Sequence, residues 1–516
     1  MSSFLRLLHP NPPAMMLAMH MLIGEIFRRN AEVVPDAVAA SMGTAVLTHG
    51  QLDRAGNQVA HVLRELGVER GDRVVSWADT CLEMLPLFVG LAKLGAVFAP
   101  VNARLGVEEA TEVVARARPR LLVADPAHGE AAALVAKNAG VVLTAHVGGA
   151  AGGPGTDLDA AARTAPGDEP ETPGLVETDT HVLFFTSGST GRPKGVVLSH
   201  RANSLRTFQG VFRDEPERSV CMFPLFHMAA FTLGLAAWQT RGEIAFVESA
   251  TAEEILSAVE RRRANRLYCI PAVWARILEA DPDRWDTSSL REIDTGTSAT
   301  PIELVRALKE RFPGTVTRIY YGSTEVGSAA TLPDADVLRK PGSVGPPSPG
   351  VDLALTDEGE IRVRSAYLFD GYFDDPEATS AALVDGWFHT GDIGALDDEG
   401  YLQIVGRLKE VIRTGGESVA PSEVEQVLAS HPALAEVAVV GVPDLQWGEL
   451  VCAVAVAADA GTGVARPSLE DLQKHCEGRL AGFKKPRRLE WVEALPRTAA
   501  TGQVQRTLLV EQIATR

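Results

Sequence analysis

Cysteine is scarce and scattered. The five residues, Cys81, Cys221, Cys269, Cys452 and Cys476, form no C-x-x-C pair and no metal-like cluster, which excludes a disulfide framework and a cysteine zinc site and fits a reduced cytoplasmic protein. Positive charge is in deficit: 49 Lys and Arg against 67 Asp and Glu leave a formal charge of −18. That balance disfavours nonspecific binding to nucleic acid or to an anionic membrane, while leaving room for a local basic site that holds a phosphorylated cofactor. No stretch approaches the ~20 uninterrupted apolar residues of a membrane span. The opening "MSSFLRLLHPNPPAMMLAMHMLIG" leans apolar, but His9, Pro10, Pro12, Pro13 and His20 interrupt it and no small-residue cleavage site follows. Residues 1–20 are therefore expected to be a nonessential extension. Internal repeats are absent.

What is present is ordinary globular material. Hydrophobic residues make up 46% and charged residues 22% of 516 positions, enough for about three structural units at roughly 150 residues each. "IGEIFRRNAEVVPDAVAA" and "THGQLDRAGNQVAHVLRELGV" show helical spacing, whereas "DRVVSWA", "AVFAPV" and "RLLVADP" read as short buried strands. The alternation implies layered α/β architecture. Residues 147–175, rich in Gly, Ala, Pro and acids, are expected to form a surface loop. Shorter strands follow residue 350, such as "GEIRVRS" and "GYLQIVG", and the chain past residue 410 reads as a small α+β domain.

"HVLFFTSGSTGRPKGVVLSH" (181–200) sets an apolar run against a loop of small hydroxyl residues ending in Pro193, Lys194 and Gly195. Small residues let backbone N–H groups approach a phosphate, hydroxyls add hydrogen bonds, and the lysine adds charge. A Walker loop requires Gly directly before the lysine; Pro193 stands there instead. A Ser/Gly surface turn is the bland alternative. "FPLFHMAAF" (223–231), "IYYGSTEVG" (319–327), "DGWFHTGDIG" (385–394) and "VGRLKEVIRTGGESVAPSEVE" (405–425) follow in order. With the opening loop, this set resembles the acyl-adenylate-forming superfamily, specifically its acyl-CoA synthetase branch, over nearly the whole chain from about Met21.

The resemblance implies a large N-terminal domain of layered α/β subdomains (21–406) that binds ATP and the acyl group, a hinge (407–410) pivoting at Lys409, and a small mobile α+β C-terminal domain (411–516). It implies an ATP-dependent carboxylate:CoA ligase using Mg²⁺ and coenzyme A, acting on a small carboxylic acid of the fatty or aryl type, and working as a monomer or homodimer. By that resemblance Thr186, Ser187, Gly188, Ser189, Thr190, Gly191 and Lys194 close over the β- and γ-phosphates. Thr324 contacts phosphate, Glu325 is the carboxylate associated with Mg²⁺, and Tyr321 beside Gly322 packs on adenine. Gly296 and Thr297 in "DTGTSATP" lie on the adenine side, Asp392 accepts the ribose hydroxyls, and Arg407 makes a second ribose or phosphate contact. His227 lines the acyl and thiol entrance, with Met228, Phe231 and Trp238 as acyl-pocket neighbours that core packing explains equally well. Gly415 and Gly416 form the turn beside the CoA pantetheine arm.

One departure stands out. The family ends with Pro, four residues and Gly-Lys, the lysine bridging the substrate carboxylate and the α-phosphate. Here "LPRTAATGQVQR" is one residue longer and places Gln503 where the lysine belongs. Gln donates hydrogen bonds but carries no charge; Arg497, Arg506 and Lys485 are the cations able to substitute. The alternative is a nucleotide- or acyl-AMP-binding relative with weak adenylation. A peptide-synthetase adenylation module, the other rival, normally carries an acid in the acyl pocket, and "FPLFHMAAFTLGLAAWQT" has none.

Overall fold

The computed structural model of the chain describes residues 21–149, 153, 155–186, 193–208, 215–414, 417–444, 447–458, 466–477, 479–497 and 503–514. Two compact units divide the chain, one of Met1–Leu267, Pro282–Leu290 and Tyr367–Pro376, the other of Tyr268–Asp281, Arg291–Ala366 and Glu377–Arg516.

In the first unit, helix Ile23–Val33 stops before Pro35, and Val38–Met42 is a strand parallel to Glu243–Phe246. Helical spacing over the whole of 23–40 is thus corrected: proline lacks an N–H for the helical ladder and disfavours helix in the residue before it. Helix His49–Glu65 begins on a reciprocal cap in which the Thr48 hydroxyl accepts from the Gln51 amide and the Gln51 side chain accepts from the Thr48 amide. Beside these helices an eight-stranded sheet runs in the order 371–372, 194–199, 180–186, 97–101, 73–77, 121–124, 143–146, 156–157. From 180–186 onward its neighbours are parallel. Strands Val97–Val101 and Leu121–Ala124 are buried at every position, as parallel strands covered on both faces must be.

The segment 147–175 is more ordered than its composition implies. It contains a strand, Thr156–Asp157, and a helix, Leu158–Ala162, capped by the Asp157 carboxylate accepting from the Ala160 amide at 2.9 Å. Helix 49–65 then holds the following chain by its carbonyls. Gln58 donates to the oxygen of Ala165, Asn57 to Gly167 and Arg64 to Glu171, and the His61 ring bonds that of Asp168. The buried Lys93 ammonium, shared with Asp53 and Asn57, reaches the Glu169 carboxylate at 2.6 Å.

His181 and His200 lie side by side in the core of this unit, their rings tilted 34° with centres 4.7 Å apart. Asn203 bonds Nδ1 of His181 at 2.9 Å and the Ile23 amide donates to Nδ1 of His200 at 3.2 Å. Burial pushes His200 down to about 4, against a small opposing pull from Asp179, and holds His181 well below its ordinary range. A folded pKa below the unfolded value means that the unfolded chain takes up protons first, so stability is complete above pH 6.5 and falls as the pH drops toward 4. His200 alone should cost about 2 kcal/mol between pH 7 and pH 5. Urea unfolding at the two pH values reads this directly; equal midpoints would contradict a buried neutral imidazole.

In the second unit, strand Glu292–Gly296 lies parallel to Val316–Ser323, which turns back antiparallel to Gly327–Leu332. An antiparallel sheet follows, in the order 343–345, 402–407, 387–396, 360–365, 351–355. Residues 412–492 build another, with helices Pro421–Leu428 and Leu469–His475 over a core that includes Val424, Leu428, Val439, Val451 and Leu472. All five cysteines are free. Among the described residues no helix is long and apolar enough to cross a membrane.

Candidate active site

The polar loop has fixed feet in the first unit. His181 to Phe184 are buried along strand Thr180–Thr186, and the antiparallel register pairs Phe185 with Gly195 and Thr186 with Lys194. Gly195 is closely packed there: a Cβ would stand 2.8 Å from the end of the Leu183 side chain and 3.2 Å from Phe373, so Leu183 would have to move. Ser187, Gly188, Ser189, Thr190 and Gly191 lie outside the described residues. The Thr186 hydroxyl donates to the Lys194 carbonyl at 3.5 Å. Two residues that no motif marked reach the same stem: Arg116 donates to the Pro193 carbonyl at 2.7 Å, and the Tyr372 ring lies 4.5 Å from the Lys194 ammonium.

His227 precedes helix Met228–Gln239 and caps it, Nδ1 accepting from the Ala229 amide at 3.2 Å. Burial takes its pKa down to about 4, so at neutral pH the ring is uncharged and carries its proton on Nε2. Its face stacks on Phe223 at 5.4 Å. Met228 is buried on the first turn. Phe231 belongs to the aromatic core, stacked on Phe88 at 4.4 Å with Phe98 edge-on at 5.2 Å, and Trp238 is fully buried with its indole N–H on the Ala39 carbonyl. The contacts of these two rings are those of core packing.

The second unit brings three of the residues expected at the nucleotide, Tyr321, Asp392 and Arg407, into contact. Tyr321 and Asp392 are 71 positions apart, yet the tyrosine hydroxyl donates to Oδ2 of the carboxylate at 2.6 Å. Asp392 and Arg407 are direct cross-strand partners, and the guanidinium meets Oδ1 at 2.7 Å. The Thr390 hydroxyl accepts from the Asp392 amide at 3.0 Å. Burial raises the Asp392 pKa, with Arg407 and Tyr321 opposing the rise; burial and the nearby carboxylate push the Tyr321 hydroxyl well above its ordinary range. Each oxygen of this carboxylate has a partner, the phenol on Oδ2 and the guanidinium on Oδ1, and retains a lone pair that can accept one further hydrogen bond.

Backbone strain marks the neighbouring turns. Thr297, β-branched, sits at φ +66 after Gly296 at φ +156, where a Cβ would lie 2.3 Å from the Tyr320 carbonyl; such outliers persist where a fold imposes them. At Gly322 a Cβ would meet the Gly327 carbonyl at 1.8 Å. That close approach lets Ser323 pair with Gly327 and presents Thr324 and Glu325 on a tight connection. The Ser323 hydroxyl donates to Glu325 Oε2 at 2.7 Å and accepts from the Glu325 amide at 3.2 Å. Glu325 also lies close enough to Asp392 to raise its pKa further.

Gln503 is exposed beside a closed stem, in which Arg497 bridges Val504 and the Gln505 amide donates to the Pro496 carbonyl at 2.8 Å. The cations able to replace the lysine all have carboxylate partners: Arg497 has Glu436, Arg506 has Glu410 at 3.0 Å and Glu425 at 2.7 Å, and Lys485 has Glu477 at 3.6 Å. Lys409 lies in the short helix Leu408–Glu410. Gly415 and Gly416 fall outside the described residues.

Residues 27–373 match the AMP-binding enzyme family and residues 423–501 match the AMP-binding enzyme C-terminal domain. The chain belongs to the AMP-binding enzyme family. It is 35% identical to a feruloyl-CoA synthase of Amycolatopsis, covering 93% of this chain and 97% of that one. It is 32% identical to the long-chain-fatty-acid–CoA ligase FadD13 of Mycobacterium tuberculosis, covering 95% and 98%. A solved structure of the anthranilate CoA ligase AuaEII with anthranoyl-AMP superposes with a TM-score of 0.84 at 27% identity, covering 98% of this chain and all of that one. A large N-terminal domain and a smaller C-terminal one, both α/β, are the architecture of these relatives, as the order of motifs implies.

If Asp392 serves the ribose, Asp392→Ala should weaken binding of ATP and AMP roughly tenfold or more, while 2′,3′-dideoxy-ATP changes little. Calorimetry with both nucleotides checks it; equal losses would remove the ribose role.

Proposed function

We propose that the protein is an ATP-dependent carboxylate:CoA ligase that joins a fatty or aryl acid to AMP and then to coenzyme A. The Tyr321–Asp392–Arg407 arrangement, in which a buried carboxylate meets a phenol on one oxygen and a guanidinium on the other, supports this reading. In the first step a carboxylate oxygen attacks the α-phosphorus and the α,β-bridging P–O bond breaks, its electron pair leaving with pyrophosphate. Asp392 holds the ribose, Tyr321 packs on adenine beside Gly296, Thr297 and Gly322, and Thr186 to Gly191 with Lys194 and Thr324 hold the departing phosphates. Glu325 offers the hard oxygen that Mg²⁺ prefers, held in place by Ser323; the ion's chemistry is to offset charge where the anions crowd.

In the second step the CoA thiolate attacks the acyl carbon, the acyl C–O bond breaks and AMP departs. Residues 21–406 carry the ATP and acyl sites, 407–410 hinge at Lys409, and 411–516 move to present Gly415 and Gly416 to the pantetheine arm. His227, neutral and with its lone pair committed to the Ala229 amide, serves as an Nε2–H donor at the acyl entrance rather than as a base. The entrance segment, with Phe223, Phe226 and Met228, holds no charge to pair with an ammonium or second carboxylate, and burying either unpaired costs several kcal/mol. Five free cysteines fit a cytoplasmic setting.

Pyrophosphate release across medium-chain fatty acids, simple aryl acids, malonate and amino acids, with and without CoA, tests the reading. Release with the first two classes, and thioester only when CoA is present, is expected. Preference for malonate or an amino acid would overturn the substrate class; no release with any acid would overturn the ligase.

A further inference from the structure

Lys194, to which the reading above gives a phosphate role, rests against an aromatic face. The lysine opens strand 194–199, and its ammonium rests 4.5 Å from the centre of the Tyr372 ring. Among the described residues no carboxylate pairs with it. That ring belongs to Gly371–Tyr372, a two-residue strand delivered nearly 180 residues later in sequence to the free edge of the strand that Lys194 begins. Its placement is over-determined. Tyr372 pairs with Val196, the Asp370 amide donates to the Val197 carbonyl at 2.9 Å, and the Phe373 amide donates to the Gly195 carbonyl at 2.7 Å. Phe369 packs edge-on against the ring at 4.9 Å.

We propose that Tyr372 is a positioning residue that docks the Lys194 ammonium at the foot of the phosphate loop until the triphosphate arrives. An ammonium on a flexible four-carbon stem samples many rotamers, and each one frozen on binding weakens the complex. A carboxylate partner would order it but would also neutralise it, and ATP would then have to break an ion pair. An aromatic face orders the cation while leaving its charge intact, and the attraction is weak enough to yield to phosphate oxygens. The inference rests on the phosphate role given to Lys194 above and adds a residue that acts only through it.

The two half-reactions separate this role from a structural one, because only adenylation involves the β- and γ-phosphates. Tyr372→Leu should raise the KM for ATP roughly fivefold, leave the KM for the acid unchanged, and leave thioester formation from supplied acyl-AMP and CoA at the wild-type rate. Tyr372→Phe should retain wild-type values. Replacing Tyr372 by phenylalanines bearing increasing numbers of ring fluorines, which drain the face at nearly constant shape, should raise the ATP KM stepwise and needs no variant that strains the strand. In a Lys194→Met background Tyr372→Leu should add nothing. Equal loss in both half-reactions, or a Tyr372→Leu effect that persists without the lysine, would overturn the positioning role alone. A Lys194→Met enzyme with unchanged ATP KM would overturn the phosphate role of Lys194, and the inference with it.

Discussion

Glu325→Gln is expected to lower turnover by on the order of a hundredfold or more, while the melting temperature stays within about 1 °C of wild type. Glu325 sits on a short connection whose geometry is set by the Gly322–Gly327 approach and by buried Val326, and its contact with the Ser323 hydroxyl is one that a glutamine oxygen also accepts. What glutamine lacks is the anionic oxygen proposed for Mg²⁺ and the negative charge near Asp392. A steady-state assay over a Mg²⁺ series paired with a thermal melt decides it. Loss of activity in step with loss of stability would make the residue structural.

Gln503→Lys should raise the rate of acyl-AMP formation by about tenfold or more, with little effect on thioester formation from supplied acyl-AMP. Arg497, Arg506 and Lys485 were the natural substitutes for the missing cation, and each has a carboxylate partner; Arg506 in particular is held by both Glu410 and Glu425. The stem formed by Pro496, Arg497, Val504 and Gln505 anchors the loop on both sides, so a lysine at 503 starts from a defined position. The stretch between Pro496 and Gly502 is one residue longer than the family pattern, and deleting Ala500 as well should restore the effect if the single change falls short. Rapid wild-type adenylation that neither change improves would show that glutamine suffices.

Sequence made the loop-and-lysine hairpin legible because an apolar run, a string of small hydroxyl residues and a second apolar run are all local signals. Tyr321 and Asp392 were legible as motif members, but their hydrogen bond was not, since a separation of 71 positions carries no distance. Arg407 opposite Asp392 is a matter of strand register, which one sequence does not fix when both faces are half-polar. Phe231 and Trp238 show the limit from the other side: apolar residues on a helix read alike whether they line a pocket or fill a core, and only the ring contacts with Phe88 and Phe27 place them in the core. Tyr372 had no signal at all, because its partner is supplied by a strand from a distant part of the chain.

The clamp on residues 165–171 has a consequence for how this region can change. Helix 49–65 grips it almost entirely through main-chain oxygens, of Ala165, Gly167, Asp168 and Glu171, and every amino acid, proline included, supplies one. Such anchoring is blind to side-chain identity at the four carbonyls, whereas Glu169 binds Lys93 and Pro170 is buried. The positions whose carbonyls are gripped can therefore change in sequence while the path into strand 180–186 stays put, and the selective burden falls on Asn57, Gln58, His61 and Arg64 of the helix instead.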